Sequence, residues 1–172
     1  MSLPTGFEPH HRFDFFEPAD KTALVCLDVP EMQRLAVEQL DQLGYRIHTG
    51  LFLDDCILKL RAHPYDVVIV SEYFDGLAPE DHVILKEAAT AAATQRRRQT
   101  YVLIGANYIT NDELQAFARS VDVVVALSDL ANLRPVIRRA TARQHEFHAP
   151  LHETLAQIAA KRREGHDVGS LV

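Results

Sequence analysis

The chain has 172 residues, 47% of them hydrophobic, with a formal net charge of -6 at pH 7. That is enough for one full core and too short for two, so a single domain with terminal extensions is expected. The acidic balance argues against a nucleic-acid partner, whose phosphates are held by clustered Lys and Arg; the runs Arg96-Arg97-Arg98, Arg138-Arg139 with Arg143, and Lys161-Arg162-Arg163 read as solvated helix ends and faces.

No apolar stretch approaches the roughly 20 residues that span a bilayer. The amino terminus also lacks the basic-then-apolar order of a signal peptide, so no membrane association and a cytoplasmic location are expected. Cys26 and Cys56 form no CxxC pair and are expected to be buried, reduced thiols.

Residues 1–20 show no periodicity and carry FEP twice, at Phe7-Glu8-Pro9 and Phe16-Glu17-Pro18, which predicts an irregular arm that docks on the domain or on a partner. Ala23 to Leu27 reads as a buried strand. Pro30 suits the first turn of a helix whose apolar face is Met32, Leu35, Ala36, Leu40 and Leu43, closed by Gly44. Tyr45 to Thr49 alternates like a strand, and residues 53–62 form a short helix. The β-branched run Val67 to Val70, ending at Ser71 and Glu72, reads as a strand buried on both faces. Pro79 opens a helix running to about Arg96, and Tyr101 to Ile104 is a fourth strand.

Thr110 and Glu113 have capping-box spacing at the start of a helix ending near Arg119. Val121 to Leu127 is a fifth strand, followed by a helix from about Pro135; Pro150 breaks it and opens another, to about Arg163, before the polar tail EGHDVGSLV. Strands and helices in alternation, with uniformly apolar strands, predict a doubly wound α/β domain with a parallel five-stranded sheet.

The segments LVCLDVPEM at 24–32, LGY at 43–45, YDVVIV at 65–70, YVLIGA at 101–106 and VDVVVALSDLANL at 121–133 together resemble the receiver domain of bacterial response regulators over about residues 22–142. The resemblance implies a flavodoxin-like strand order 2-1-3-4-5. It divides the chain into an arm at 1–20, a receiver-like domain at 21–146, and a C-terminal helix and tail at 147–172. It also implies a site at the carboxyl ends of the strands. There two acids after the first strand and an aspartate after the third hold Mg²⁺ while the latter takes a phosphoryl group, read by a hydroxyl after the fourth strand and a lysine after the fifth.

Mapped onto this sequence, those positions are Leu27 and Asp28, Ser71, Gly105 and Ala126. Only Asp28 keeps the required chemistry, because a serine hydroxyl neither holds Mg²⁺ as a carboxylate does nor forms an acyl phosphate. Glu72 is displaced by one residue and, by strand alternation, is expected on the opposite face. The resemblance therefore implies a degenerate pseudo-receiver.

Asp28 has two readings, as a lone weak metal ligand or as the cap of the helix starting at Pro30, and the cap is favoured. His145, His148 and His152 would share a face on a continuous helix, which Pro150 is expected to interrupt. Cobalamin-binding domains share the fold and a serine after the third strand, but the stretch Asp28-Val29-Pro30-Glu31-Met32-Gln33 lacks the histidine and glycine of their D-x-H-x-x-G signature. No Walker loop, GxGxxG, HExxH or G-x-S-x-G is present, so no enzyme activity and no cofactor are expected.

The function expected is phosphorylation-independent signalling through a protein partner. The alternative is a sensor that takes a nucleotide-like ligand around Asp28, Ser71 and Gly105. In receivers the face of the fourth helix, fifth strand and fifth helix serves pairing, and here Leu114, Phe117, Arg119, Asp122, Arg138 and Arg139 are the candidate residues for a homodimer. The competing reading packs Leu114 and Phe117 onto the sheet. Leu151, Leu155, Ile158 and Ala159 predict a buried stripe on the C-terminal helix, against the domain or a second subunit.

Overall fold

Runs of four to six residues build the sheet, buried end to end in the three central strands and only partly in the edge strand RIHTG. In the computed structural model, which describes residues 16–167, the strands are β1 (Thr22–Cys26), β2 (Arg46–Gly50), β3 (Val67–Ser71), β4 (Thr100–Gly105) and β5 (Val123–Ala126). All four pairings are parallel, in the order β2-β1-β3-β4-β5. Such strands need helical crossovers on both faces, and the alternation of side chains divides the core accordingly. Ala23, Val25 and Leu27 of the β1 segment face one layer, and Leu24 and Cys26 the other.

Helices α1 (Pro30–Asp41) and α6 (Leu133–Asp167) cover the first face, through Ala36, Leu40, Leu133 and Ile137. The second is covered by α2 (Leu53–Ala62), α3 (Val83–Thr90) and α5 (Glu113–Ala118), through Cys56, Leu60, Ile84, Ala88 and Ala116. Gly44 has φ +79°, the left-handed conformation expected of a residue that ends α1. Cys26 and Cys56 are free and buried, and burial, reinforced by contact with Cys56, pushes the Cys26 thiol well above its ordinary pKa. Of the arm, residues 1–15 lie outside the described residues; Phe16 packs between the rings of His48 and His63, at 4.4 Å from each.

Several local expectations are corrected. Residues 79–96 are not one helix but a 3-10 turn at Pro79–Asp81, then α3, then α4 (Ala93–Arg96). His82 leaves the helical region at ψ 95° to bury its ring, and Ala91 and Ala92 are extended. Pro150 does not break the last helix, so the expected boundary at 146/147 falls within the 35 residues of α6. Proline removes one N–H, and the carbonyl it leaves unpaired belongs to exposed Glu146, where water reaches it; the Thr154 hydroxyl donates to the Pro150 carbonyl. The first four residues of the expected polar tail lie in α6, and residues 168–172 lie outside the described residues. Leu155 and Ile158 are 47% and 44% exposed, so their stripe is not buried against the domain. Among the described residues no helix is long and apolar enough to cross a membrane.

Candidate functional site

The strand ends bring Asp28, Ser71 and Gly105 to one edge of the sheet, as the mapping expects of a 2-1-3-4-5 order. Asp28 lies two residues past the end of β1. It does not cap α1, whose N-cap is Val29 with no side-chain bond; instead its carboxylate accepts a 3.3 Å hydrogen bond from the Ser71 hydroxyl. The buried β-branched run ahead of Ser71 places that residue at the tip of β3. Leu27 is fully buried in the core on the α1 and α6 side, so the first acid position is an apolar packing position.

Glu72 goes elsewhere. Only 5% exposed, it accepts a 2.9 Å hydrogen bond from the Tyr108 hydroxyl at Oε1, and the Arg119 guanidinium lies 3.8 Å from the same oxygen. Its Oε2 is buried with no hydrogen-bond partner. Burial, then the bond to Glu72, raises the Tyr108 hydroxyl above its ordinary pKa, so it stays a donor. Gly105 sits against this pair. A Cβ there would lie 2.5 Å from Glu72 Oε2 and 2.7 Å from the Tyr108 ring. The volume beside the end of β4 that a threonine or serine side chain would need is thus filled by a carboxylate and an aromatic ring.

Two further groups frame the edge. His82, 2% exposed, donates from Nε2 to the Ser71 carbonyl at 2.9 Å, and burial lowers its pKa, which keeps the ring neutral. At the end of β5, Ala126 N–H donates to the Thr110 hydroxyl, which itself bonds to Asp129. Thr110 therefore ties two loops together rather than forming the expected capping box. The cap of α5 is Asp112, whose carboxylate accepts from Gln115 N–H, and Glu113 pairs instead with Arg143 at 2.7 Å.

Sequence reasoning missed Tyr108 and His82. Tyr108 stands in a loop with no periodic pattern, and only the glycine at the hydroxyl position signals that something bulky lies beside it. Among the described residues no group of three or more His, Cys, Asp or Glu is arranged to hold a metal ion. That includes the histidines of α6, where His148 and His152 have ring centroids 6.4 Å apart. The three principal cavities of the described residues are lined by residues other than Asp28, Ser71 and Gly105.

The pairing face differs from the competing expectation. Leu114 and Phe117 are 82% and 84% exposed; α5 buries only Ala116 against the sheet. Phe117 lines a groove of about 840 Å³ between α5 and α6, with Phe147, 80% exposed, on its α6 side. Two of the four candidate charges have partners within the chain. Arg119 faces Glu72, and Asp122 binds Arg96 at 3.0 Å and the Tyr101 N–H at 2.7 Å. Arg139 lines the groove with no ion-pair partner among the described residues, whereas Arg138 turns to a different cavity.

Among solved structures, the chemotaxis response regulator CheY4 of Vibrio cholerae aligns at a TM-score of 0.58 and 12% identity, over 70% of this chain and 98% of that one. The signal receiver domain of a DNA-binding response regulator from Colwellia psychrerythraea aligns at 0.57 and 15%, over 70% and 97%. The chain has the receiver fold. A sensor protein from Polaromonas gives the same picture, at 0.57 and 17% over 74% and 99%. No family model and no curated protein matches the sequence. At these identities the likeness is one of receiver architecture, and α6 continues well past the span that resembles a receiver in sequence.

Proposed function

We propose that this chain is a pseudo-receiver, a signalling module that acts by binding protein without being phosphorylated and that pairs with a second copy of itself. The observation that carries this reading is the filled space at Gly105. In the receiver pattern, an aspartate at the Ser71 position takes the phosphoryl group and the residue at the Gly105 position reads it. Here the acceptor is a hydroxyl bonded to Asp28, and Glu72 and Tyr108 occupy the reader's volume. Loss of single groups would leave an empty site; a repacked one supports use of the scaffold in a fixed state.

The surface offered to a partner is the α5–β5–α6 face. Leu114, Phe117 and Phe147 supply apolar contact, while on the rims Arg139 of α6 has no ion-pair partner among the described residues and Arg143 is paired across the groove with Glu113 at 2.7 Å, a pair that a second copy would have to exchange. A face with both signs on opposite rims is self-complementary under a two-fold axis, which favours a second copy over a purely acidic or basic partner. Light scattering on the purified chain tests this: twice the chain mass is expected, falling to the monomer for Phe117→Asp with its circular dichroism unchanged. A wild-type monomer at all concentrations rejects pairing, and a Phe117→Asp dimer moves it to another face.

A further inference from the structure

The largest of the three principal cavities, about 900 Å³, lies at the opposite end of the sheet from the receiver site. Lys21, Tyr45, Asp66 and Thr100 stand at the starts of β1, β2, β3 and β4 and form its floor. The far wall is α6 from Ile137 to His152, a wall that exists because the helix runs on through Pro150.

Four cations line it: Lys21, Arg97, Arg98 and Arg138. None has an ion-pair partner among the described residues. The acids nearby are mostly engaged. Asp66 accepts from the Thr22 N–H at 2.7 Å and its hydroxyl at 3.2 Å, and Asp20 accepts from Glu17 N–H and faces Arg46 at 3.9 Å. Those hydrogen bonds come from neutral donors and leave the carboxylates charged, so the lining sets four cations against Asp20, Asp66 and Glu146. None of the four cations is in ion-pair contact with these acids, which leaves their N–H groups open to the oxygens of an anion. Three are arginines, whose planar forks match phosphate oxygens.

The cavity is too large for phosphate alone and falls in the size range of small-molecule sites. Between the cations its lining is mixed, with polar Gln42, Thr141 and Gln144 beside the apolar surface of Leu43, the half-buried Tyr45 and the edge of the buried Ile137. We infer that this cavity binds a phosphorylated nucleotide, its phosphates on Arg97, Arg98, Arg138 and Lys21 and its base and sugar against Leu43, Ile137 and Tyr45. The inference stands independently of pairing and of the state of the Ser71 site.

Calorimetric titration of the full chain with adenosine 5′-triphosphate and, separately, with pyrophosphate tests it. The triphosphate is expected to bind at least about tenfold more tightly than pyrophosphate, because only it covers the apolar lining. Each lost charge-assisted contact weakens binding about tenfold, so Arg98→Gln with Arg138→Gln should lower affinity about a hundredfold. Arg34→Gln, on the exposed face of α1 and outside the cavity lining, should leave it unchanged. Should the double variant misfold by circular dichroism, Arg98→Gln alone, at an exposed position, carries the test with its tenfold loss. The inference is overturned if neither probe binds, if pyrophosphate binds as tightly as the triphosphate, or if the arginine variants bind as the wild type does.

Discussion

Gly105→Ala is the smallest perturbation that probes the repacked site. The new Cβ would meet Glu72 Oε2 at 2.5 Å and the Tyr108 ring at 2.7 and 2.8 Å, where ordinary contact begins near 3.4 Å. The overlap is therefore roughly 0.6 to 0.9 Å, the difference of those distances. Neither neighbour moves freely, since both are under a tenth exposed and their 2.9 Å hydrogen bond links them. Overpacking of this kind costs about 1–3 kcal/mol. Gly105 has no positive φ, so alanine adds no backbone strain and recovers up to about 1 kcal/mol from the unfolded chain.

The net loss is about 1–2 kcal/mol, and for a chain of this length the melting temperature should fall by about 2–8 °C. Differential scanning calorimetry, supported by urea titration, reads it. In the double variant with Tyr108→Ala the overlap with the ring disappears, so the two effects should sum to less than the singles by about 1 kcal/mol. A Gly105→Ala protein that melts with the wild type, or strict additivity in the double variant, refutes the filled-volume reasoning.

Tyr108→Phe removes the hydroxyl that satisfies Glu72 Oε1 and leaves a buried carboxylate dependent on Arg119 at 3.8 Å. It should cost about 1–3 kcal/mol in urea unfolding. His82 supplies a pH dependence. Its native pKa is lowered by burial, so below the unfolded value of about 6.5 the unfolded chain binds a proton that the folded chain refuses. Stability should fall as pH drops through that window, at up to about 1.4 kcal/mol per pH unit from this residue. His82→Gln, which keeps a donor toward the Ser71 carbonyl, should show a shallower slope between the two pKa values; an equal slope assigns the effect elsewhere.

The sheet was legible because its signal is long and redundant. Val67 to Val70, Tyr101 to Ile104 and Val123 to Ala126 are apolar on both faces, and only a parallel sheet with helices on each side buries such runs. The corrections fall where one side chain overrides a local rule. His82 pulls the chain out of the helical region to reach a carbonyl of β3, and nothing in the surrounding composition announces it. Pro150 reads as a breaker, yet a helix far from the core loses one solvent-facing bond and continues. At the candidate site, the missing groups at Leu27, Ser71, Gly105 and Ala126 were readable position by position. That Glu72 and Tyr108 had closed the gap was not, because their meeting joins residues 36 apart in sequence through a loop of no periodic pattern.

The central claim is tested most directly by two-dimensional ¹H–¹⁵N NMR of the chain with Mg²⁺ and beryllofluoride, a mimic of the aspartyl phosphate on which receivers run. With Ser71 in the acceptor position and Glu72 held by Tyr108, the amide resonances of residues 27–28, 71–72, 105–108 and 126 should not move. Shifts spreading from Asp28 or Glu72 toward α5, or a mass gain of one phosphoryl group on either residue after treatment with acetyl phosphate, would contradict the account.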